Sequence, residues 1–218
     1  MCSPCVEKHV ENLKISVDNI GVIVRTFGVT SNKTLNLSIM FGLSLKKKVS
    51  SDKLANVFIN GLIDATEHGF PVVAEFINED ASFSTQPNIN PKDHHEFSLI
   101  VLIGNMNLLE STFDGEQAFE VERLIFEKLS KAYGMSVFEF KSLVKDYRHL
   151  MNRLNHPSKN VVYAMSKTIF DKYTLYNFQD EYFRRMQVPN PLFLKRMDEL
   201  MENFVWDWDA FFKKYRVD

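Results

Sequence analysis

Seven apolar residues at alternating spacings of four and three dominate the first 28 residues of this chain. They are Val6, Val10, Leu13, Val17, Ile20, Val24 and Phe27. An apolar stripe with this heptad period lies along one face of an α-helix. The sequence therefore predicts one amphipathic helix over residues 4–28, and it favours a helical fold for the chain.

A second heptad stripe occurs near the C-terminal end of the sequence. Its members are Leu194, Met197, Met201, Phe204, Trp208, Phe211 and Tyr215. The same argument predicts one helix over residues 194–215. The two matched stripes suggest that the first and last helices pack on each other or on a partner.

Helix start and stop signals occur repeatedly between the two stripes. Ser51 is suited to cap a helix that Gly69 ends, with Pro71 just beyond it. A helical pattern runs from Gly115 to about residue 134. Ser136 and Glu139 then form a capping-box pair at the start of another helix, which Pro157 closes. Residues 159–173 and 176–187 predict two further helices.

These elements predict an all-α bundle of about seven to nine helices. We expect an N-terminal helical part over residues 1–80, a loop over 81–95 and a C-terminal bundle over 96–218, although one continuous domain also fits. The alternative fold is α+β, with a hairpin in residues 13–45 and a strand at 97–103. Residues 34–47 fit either a helix or a strand.

The composition limits the location and class of the protein. The chain has 218 residues, of which 45% are hydrophobic, so it can form a full core without disulfides. Only two cysteines occur, and free thiols are typical of a reducing compartment. We find no apolar run of 18 residues and no signal peptide, and we expect a cytoplasmic protein with no membrane partner.

Charge is strongly segregated along the chain. Residues 64–127 carry 13 acidic and 2 basic side chains, whereas residues 128–174 carry 9 basic and 3 acidic ones. Such blocks either attract each other within the fold or form separate docking surfaces. A nucleic-acid partner is not favoured, because the basic excess is modest and is divided between two segments.

Three potential metal ligands stand at helical spacing at the N-terminus. Cys2, Cys5 and His9 would share one helix face, and thiolates and imidazoles are the usual ligands of zinc. A tetrahedral site needs about four ligands, so a distant residue would have to complete this one.

Two further polar groups could bind a metal or act as acid and base. Asp146 and His149 are three residues apart on one predicted helix, with Glu120 on the preceding helix, as in helical di-iron proteins. Asp93, His94 and His95 stand together in the predicted loop. Zinc or iron is therefore the cofactor to test for.

The absence of recognisable catalytic motifs favours a non-enzymatic interaction, assembly or regulatory protein. It would act through a protein partner or through self-association. The last predicted helix is more aromatic than one core face requires, and Trp206, Trp208 and Phe212 are the candidate partner contacts. The alternative is a metal-dependent helical enzyme that uses a carboxylate/His or a Cys/His site.

Overall fold

A computed structural model describes residues 46–218 of the chain. The predicted helix over residues 4–28 and the ligands Cys2, Cys5 and His9 lie outside the described residues. The same is true of the predicted hairpin in residues 13–45 and of nearly all of segment 34–47. At the end of that segment, residue 47 begins a short strand.

The all-α prediction is confirmed. The α-helices are α1 (Ser51–Glu79), α2 (His95–Met106), α3 (Leu109–Thr112), α4 (Gly115–Ala132), α5 (Val137–Asn155), α6 (Val161–Lys172), α7 (Glu181–Met186), α8 (Pro191–Met201) and α9 (Trp208–Lys214). Leu175–Phe178 and Glu202–Phe204 form 3-10 turns. The two short strands, β1 (Lys47–Val49) and β2 (Tyr215–Val217), pair in parallel, with Val49 opposite Val217.

Helix α1 is longer than the sequence predicts. Ser50 caps its start, and the helix continues through Gly69 and Pro71 to Glu79. The predicted end at Gly69 is wrong because the buried face continues beyond it, with Val73 and Ile77 in the core. Pro71 lies on the exposed side, where water can hydrate the carbonyl group that loses its N–H partner.

Helix α2 contains the segment that the alternative fold assigned to a strand at 97–103, so that assignment is wrong. Ile100, Val101, Leu102 and Ile103 are all buried. A helix that is enclosed on nearly every side is apolar all round and has no clear period of 3.6 residues. Because this period is absent, the sequence alone does not distinguish a helix from a strand at residues 97–103.

Local signals place α4 and α5 correctly. Ser136 accepts a hydrogen bond from the Glu139 N–H, and the Glu139 carboxylate accepts one from the Ser136 N–H. Gly134, between the two helices, has a φ of 63°, a conformation that glycine adopts without a steric penalty. Helix α5 ends before Pro157, as predicted.

The predicted loop over residues 81–95 lies between α1 and α2, and α2 begins at His95. The Asn78 side chain holds this loop, because its Nδ2 donates to the Ile89 carbonyl at 2.9 Å and its Oδ1 accepts from the Ile89 N–H at 2.7 Å. We call such a side chain an amide clamp. The division into parts 1–80 and 96–218 stays a prediction, while one buried cluster includes side chains of α1, α2, α4, α5, α6 and α8.

The predicted single helix over residues 194–215 is wrong. Helix α8 ends at Met201, the chain is not helical at Val205–Asp207, and Tyr215 begins β2. A second amide clamp holds the break. Buried Asn105 on α2 donates to the Phe204 carbonyl at 2.8 Å and accepts from the Trp206 N–H at 2.7 Å. The clamp supplies partners for backbone groups that a continuous helix would have paired internally.

The break places the Trp206 ring against α1 at Gly61. A Cβ at Gly61 would lie 2.7 Å from Cζ3 of Trp206, closer than van der Waals contact allows. We therefore predict that Gly61→Ala lowers the free energy of unfolding by about 1–3 kcal/mol, the usual cost of overpacking a core. Urea denaturation followed by tryptophan fluorescence measures the change.

Gly115→Ala is the matched control. Its Cβ would meet no heavy atom within 4 Å, and we expect a change of at most about 1 kcal/mol, towards higher stability. Equal stability of the two variants would contradict the close packing of Trp206 against α1.

Candidate interaction surface

The structure brings the predicted partner contacts together in an aromatic cluster. Trp206 is only 2% exposed, whereas Trp208 and Phe212 are half-buried. The Trp208 ring stacks on Phe58 with centroids 5.7 Å apart and meets Phe113 edge-on at 5.0 Å. All three predicted contacts therefore have a packing role, and partner binding by them stays a prediction.

The structure does not bring the predicted metal ligands of α4 and α5 together in a site. Asp146 and His149 are exposed on α5, and the Glu120 carboxylate is hydrogen-bonded to the guanidinium of Arg123 at 2.8 and 2.9 Å. Within residues 46–218, no three His, Cys, Asp or Glu side chains form a group that could hold a metal ion. The metal-dependent enzyme and its zinc or iron stay predictions.

Residues Asp93–Glu96 form the turn that leads into α2 and the first residues of that helix. The His94 and His95 rings stack, and Nδ1 of His94 lies 3.2 Å from Oγ of Ser98. Burial, with a smaller contribution from His95, lowers the pKa of His94, so its imidazole is neutral at pH 7.

A partly buried polar contact joins the same turn to α5 and to the end of α6. The Tyr147 hydroxyl donates to the Glu96 carboxylate, and Nζ of Lys172 lies 3.2 Å from that carboxylate and 4.2 Å from the centre of the Tyr147 ring. Burial and the Glu96 charge raise the pKa of Tyr147, so the phenol remains a hydrogen-bond donor. These contacts join the start of α2 to α5 and α6 and give Glu96 a structural role.

Ion pairs also join the two oppositely charged blocks within the fold. Arg148 pairs with Glu122, and Lys172 pairs with Glu96. Part of the charge segregation therefore serves internal attraction between the two blocks, one of the two roles that the sequence allows.

The segment Asp180–Leu192, which we call the α7 protrusion, exposes four of the eight large hydrophobic side chains that are exposed among the described residues. Tyr182 is 67% exposed, Met186 58% and Leu192 65%, and Val188 is also exposed. Helix α7 itself contains no buried residue. Single apolar side chains on a surface are ordinary, and these four lie within eleven residues of one another in the sequence.

A third amide clamp holds the α7 protrusion to the body of the protein. Gln179 is buried, its Nε2 donates to the Val188 carbonyl at 2.9 Å, and its Oε1 accepts from the Asn190 N–H at 2.6 Å. The Asp180 carboxylate caps α7 by accepting from the N–H groups of Tyr182 and Phe183. The protrusion is thus exposed and hydrogen-bonded into one conformation.

The sequence prediction missed this surface. Residues 176–187 were predicted to be one helix, but the structure has a 3-10 turn, an extended break at Gln179 and the short helix α7. Tyr182 and Met186 are four residues apart, a spacing that buried and exposed helix faces share. One sequence signal could have predicted the short helix. Asp180 is suited to be an N-cap, and Pro189 follows closely, so a helix between them is too short to form a core face.

Comparisons with known proteins do not identify the chain. No family model, curated protein or solved structure matches it significantly. No helix among residues 46–218 is both long and apolar enough to span a bilayer.

We predict that Gln179→Met, which nearly preserves side-chain volume, removes both hydrogen bonds that hold the α7 protrusion. Two backbone groups lose their partners, and we expect a loss of about 1–3 kcal/mol in the free energy of unfolding. Amide exchange at Asn190 should become faster. Gln86→Met, at an exposed glutamine, is the control and should stay within about 0.5 kcal/mol of the wild type. Unchanged exchange at Asn190 in Gln179→Met would contradict the role of the clamp.

Proposed function

We propose that this protein is a non-catalytic binding module that engages a partner protein through the α7 protrusion. The observation that carries the proposal is the combination of exposure and order in this segment. Tyr182, Met186, Val188 and Leu192 face solvent on a segment whose backbone is fixed by Gln179 and Asp180.

This combination favours binding on energetic grounds. Apolar side chains in water are unfavourable unless a second surface covers them. A segment that is already ordered loses little further conformational entropy on association, so more of its interaction energy contributes to affinity. Tyrosine and arginine are also enriched among residues that dominate binding energies, and Arg184 and Arg185 lie two and three residues after Tyr182.

The charges around the protrusion bear on the choice of partner. Arg184, Arg185 and Lys195 are exposed near the apolar side chains. Arg185 forms an ion pair with Glu181 at 2.6 Å, which leaves Arg184 and Lys195 as basic groups with no carboxylate partner among the described residues. A two-fold symmetric contact between two copies would bring these basic groups towards their own equivalents. A different protein that presents an apolar pocket with an acidic rim is therefore the favoured occupant.

Paired alanine substitutions test the proposal. Tyr182→Ala and Leu192→Ala should each weaken binding about tenfold or more, because exposed apolar anchors of this kind lose their whole contact on truncation. Phe119→Ala is the matched control, since Phe119 is 69% exposed on α4, outside the protrusion. Proteins retained by wild type and Phe119→Ala but lost by the two protrusion variants are then purified, and their affinities are measured by calorimetry.

The proposal requires that such a partner has an acidic binding surface and that its affinity falls with added salt. A partner that binds all variants equally would contradict it. A dimer that sedimentation detects in wild type, and that Tyr182→Ala dissociates, would show instead that the occupant is a second copy.

A further inference from the structure

Two helix faces of opposite charge remain exposed beside the ion pairs that form within the fold. On the second half of α1, every fourth residue is exposed, and we call this line the acidic row: Glu67, Pro71, Glu75 and Glu79. On α5 the same spacing gives the basic row: Lys141, Lys145, His149 and Arg153. Residues four apart are neighbours along a helix surface, so each row is a line of side chains about 18 Å long.

The charges of both rows lack ion-pair partners within the described part of the chain. The three carboxylates of the acidic row form no ion pair there, and neither do Lys145 and Arg153. Lys141 has only the ring of Phe126, whose centroid lies 5.4 Å from Nζ. Like charges four residues apart repel each other along a helix, and a surface of opposite charge relieves this repulsion.

The two rows match each other when their helices run antiparallel. The opposed positions are then Glu67 with Arg153, Pro71 with His149, Glu75 with Lys145, and Glu79 with Lys141. Every carboxylate faces a lysine or an arginine, and the uncharged Pro71 faces the histidine. In the parallel orientation Pro71 would face Lys145 and Glu75 would face His149, so one lysine would lose its carboxylate. The pattern therefore favours the antiparallel orientation.

We propose that the acidic row of one copy binds the basic row of a second copy, with α1 and α5 antiparallel. All eight side chains are exposed, so the two rows of one copy do not cover each other. Because the contact uses two different faces, each bound copy keeps one row free for the next copy, and a head-to-tail assembly follows. Neither row shares a residue with the α7 protrusion, and the inference does not rest on the proposed function.

Sedimentation velocity of the full chain tests the assembly. Exposed ion pairs are individually weak and are screened by salt, so the measurement needs a high protein concentration. We expect species larger than a dimer at about 20 mM NaCl and a monomer at about 500 mM, where the screening length is below about 5 Å.

Two neutralised variants locate the contact. Lys145→Gln with Arg153→Gln alters the basic row, and Glu67→Gln with Glu75→Gln alters the acidic row. Each variant alone should sediment as a monomer at low salt. An equal mixture should form a one-to-one dimer and nothing larger, because one intact acidic row and one intact basic row remain between the two variants. All four positions are exposed, so we expect folding to be preserved.

Matched controls remove the same charges at other exposed positions. They are Lys53→Gln with Lys131→Gln, and Glu110→Gln with Glu116→Gln. Both should assemble like the wild type. Tyr182→Ala should also assemble normally, which separates this contact from binding by the α7 protrusion.

Charge exchange tests the antiparallel pairing. Glu75→Lys should prevent assembly, and Lys145→Glu in the same chain should restore it, because these two positions face each other. Lys141→Glu should not restore it, since Lys141 faces Glu79. Equal rescue by Lys141→Glu would contradict the antiparallel pairing.

Three results would overturn the inference as a whole. The first is a wild-type chain that stays monomeric at low salt. The second is a mixture of the two neutralised variants that stays monomeric. The third is normal assembly of the acidic-row variant while the basic-row variant fails, which would show that the basic row binds an anionic group outside the acidic row.

Discussion

The course of the chain after helix α8 depends on the buried side chain of Asn105. Its amide donates to the Phe204 carbonyl and to the Val101 carbonyl of its own helix, and its oxygen accepts from the Trp206 N–H. A non-helical turn in a protein core leaves backbone groups without partners, and one unpaired buried group costs about 1–3 kcal/mol. Asn105 removes that cost at the point where the chain leaves its helical course.

The same kind of side-chain clamp holds two other described non-helical segments to the helical body. Asn78 binds Ile89 in the loop before α2, and Gln179 binds Val188 and Asn190 beneath the α7 protrusion. In each case one side chain imitates the donor and acceptor pair of a neighbouring β-strand. These clamps allow a helical protein to present irregular segments in one conformation, which is what a binding surface requires.

Local sequence signals predicted the fold well where local interactions decide it. The Ser136–Glu139 capping box is an example, because both partners lie within one turn. Gly69 and Pro71 predicted a helix end that does not occur, because packing of Val73 and Ile77 outweighs the local stop signal. The stripe over residues 194–215 predicted a continuous helix, because the sequence pattern contains no trace of a clamp from a residue about 100 positions earlier.

The candidate surfaces were less predictable for a physical reason. Exposure of Tyr182 and Leu192 depends on which neighbours cover them, and a sequence pattern does not contain that information. The Trp206–Asp209 segment is recognisable in the sequence by its two tryptophans. However, the sequence does not show that the chain leaves its helical course at Val205–Asp207.

Hydrogen exchange of the Trp206 backbone amide is the sharpest test of the Asn105 clamp. The amide lies outside any helix, and its acceptor is the side chain of Asn105 at 2.7 Å. We predict protection comparable to that of the buried amides of α2, and loss of this protection in Asn105→Ala while the amides of α5 remain protected. Rapid exchange of the Trp206 amide in the wild-type protein would show that the clamp does not hold the break.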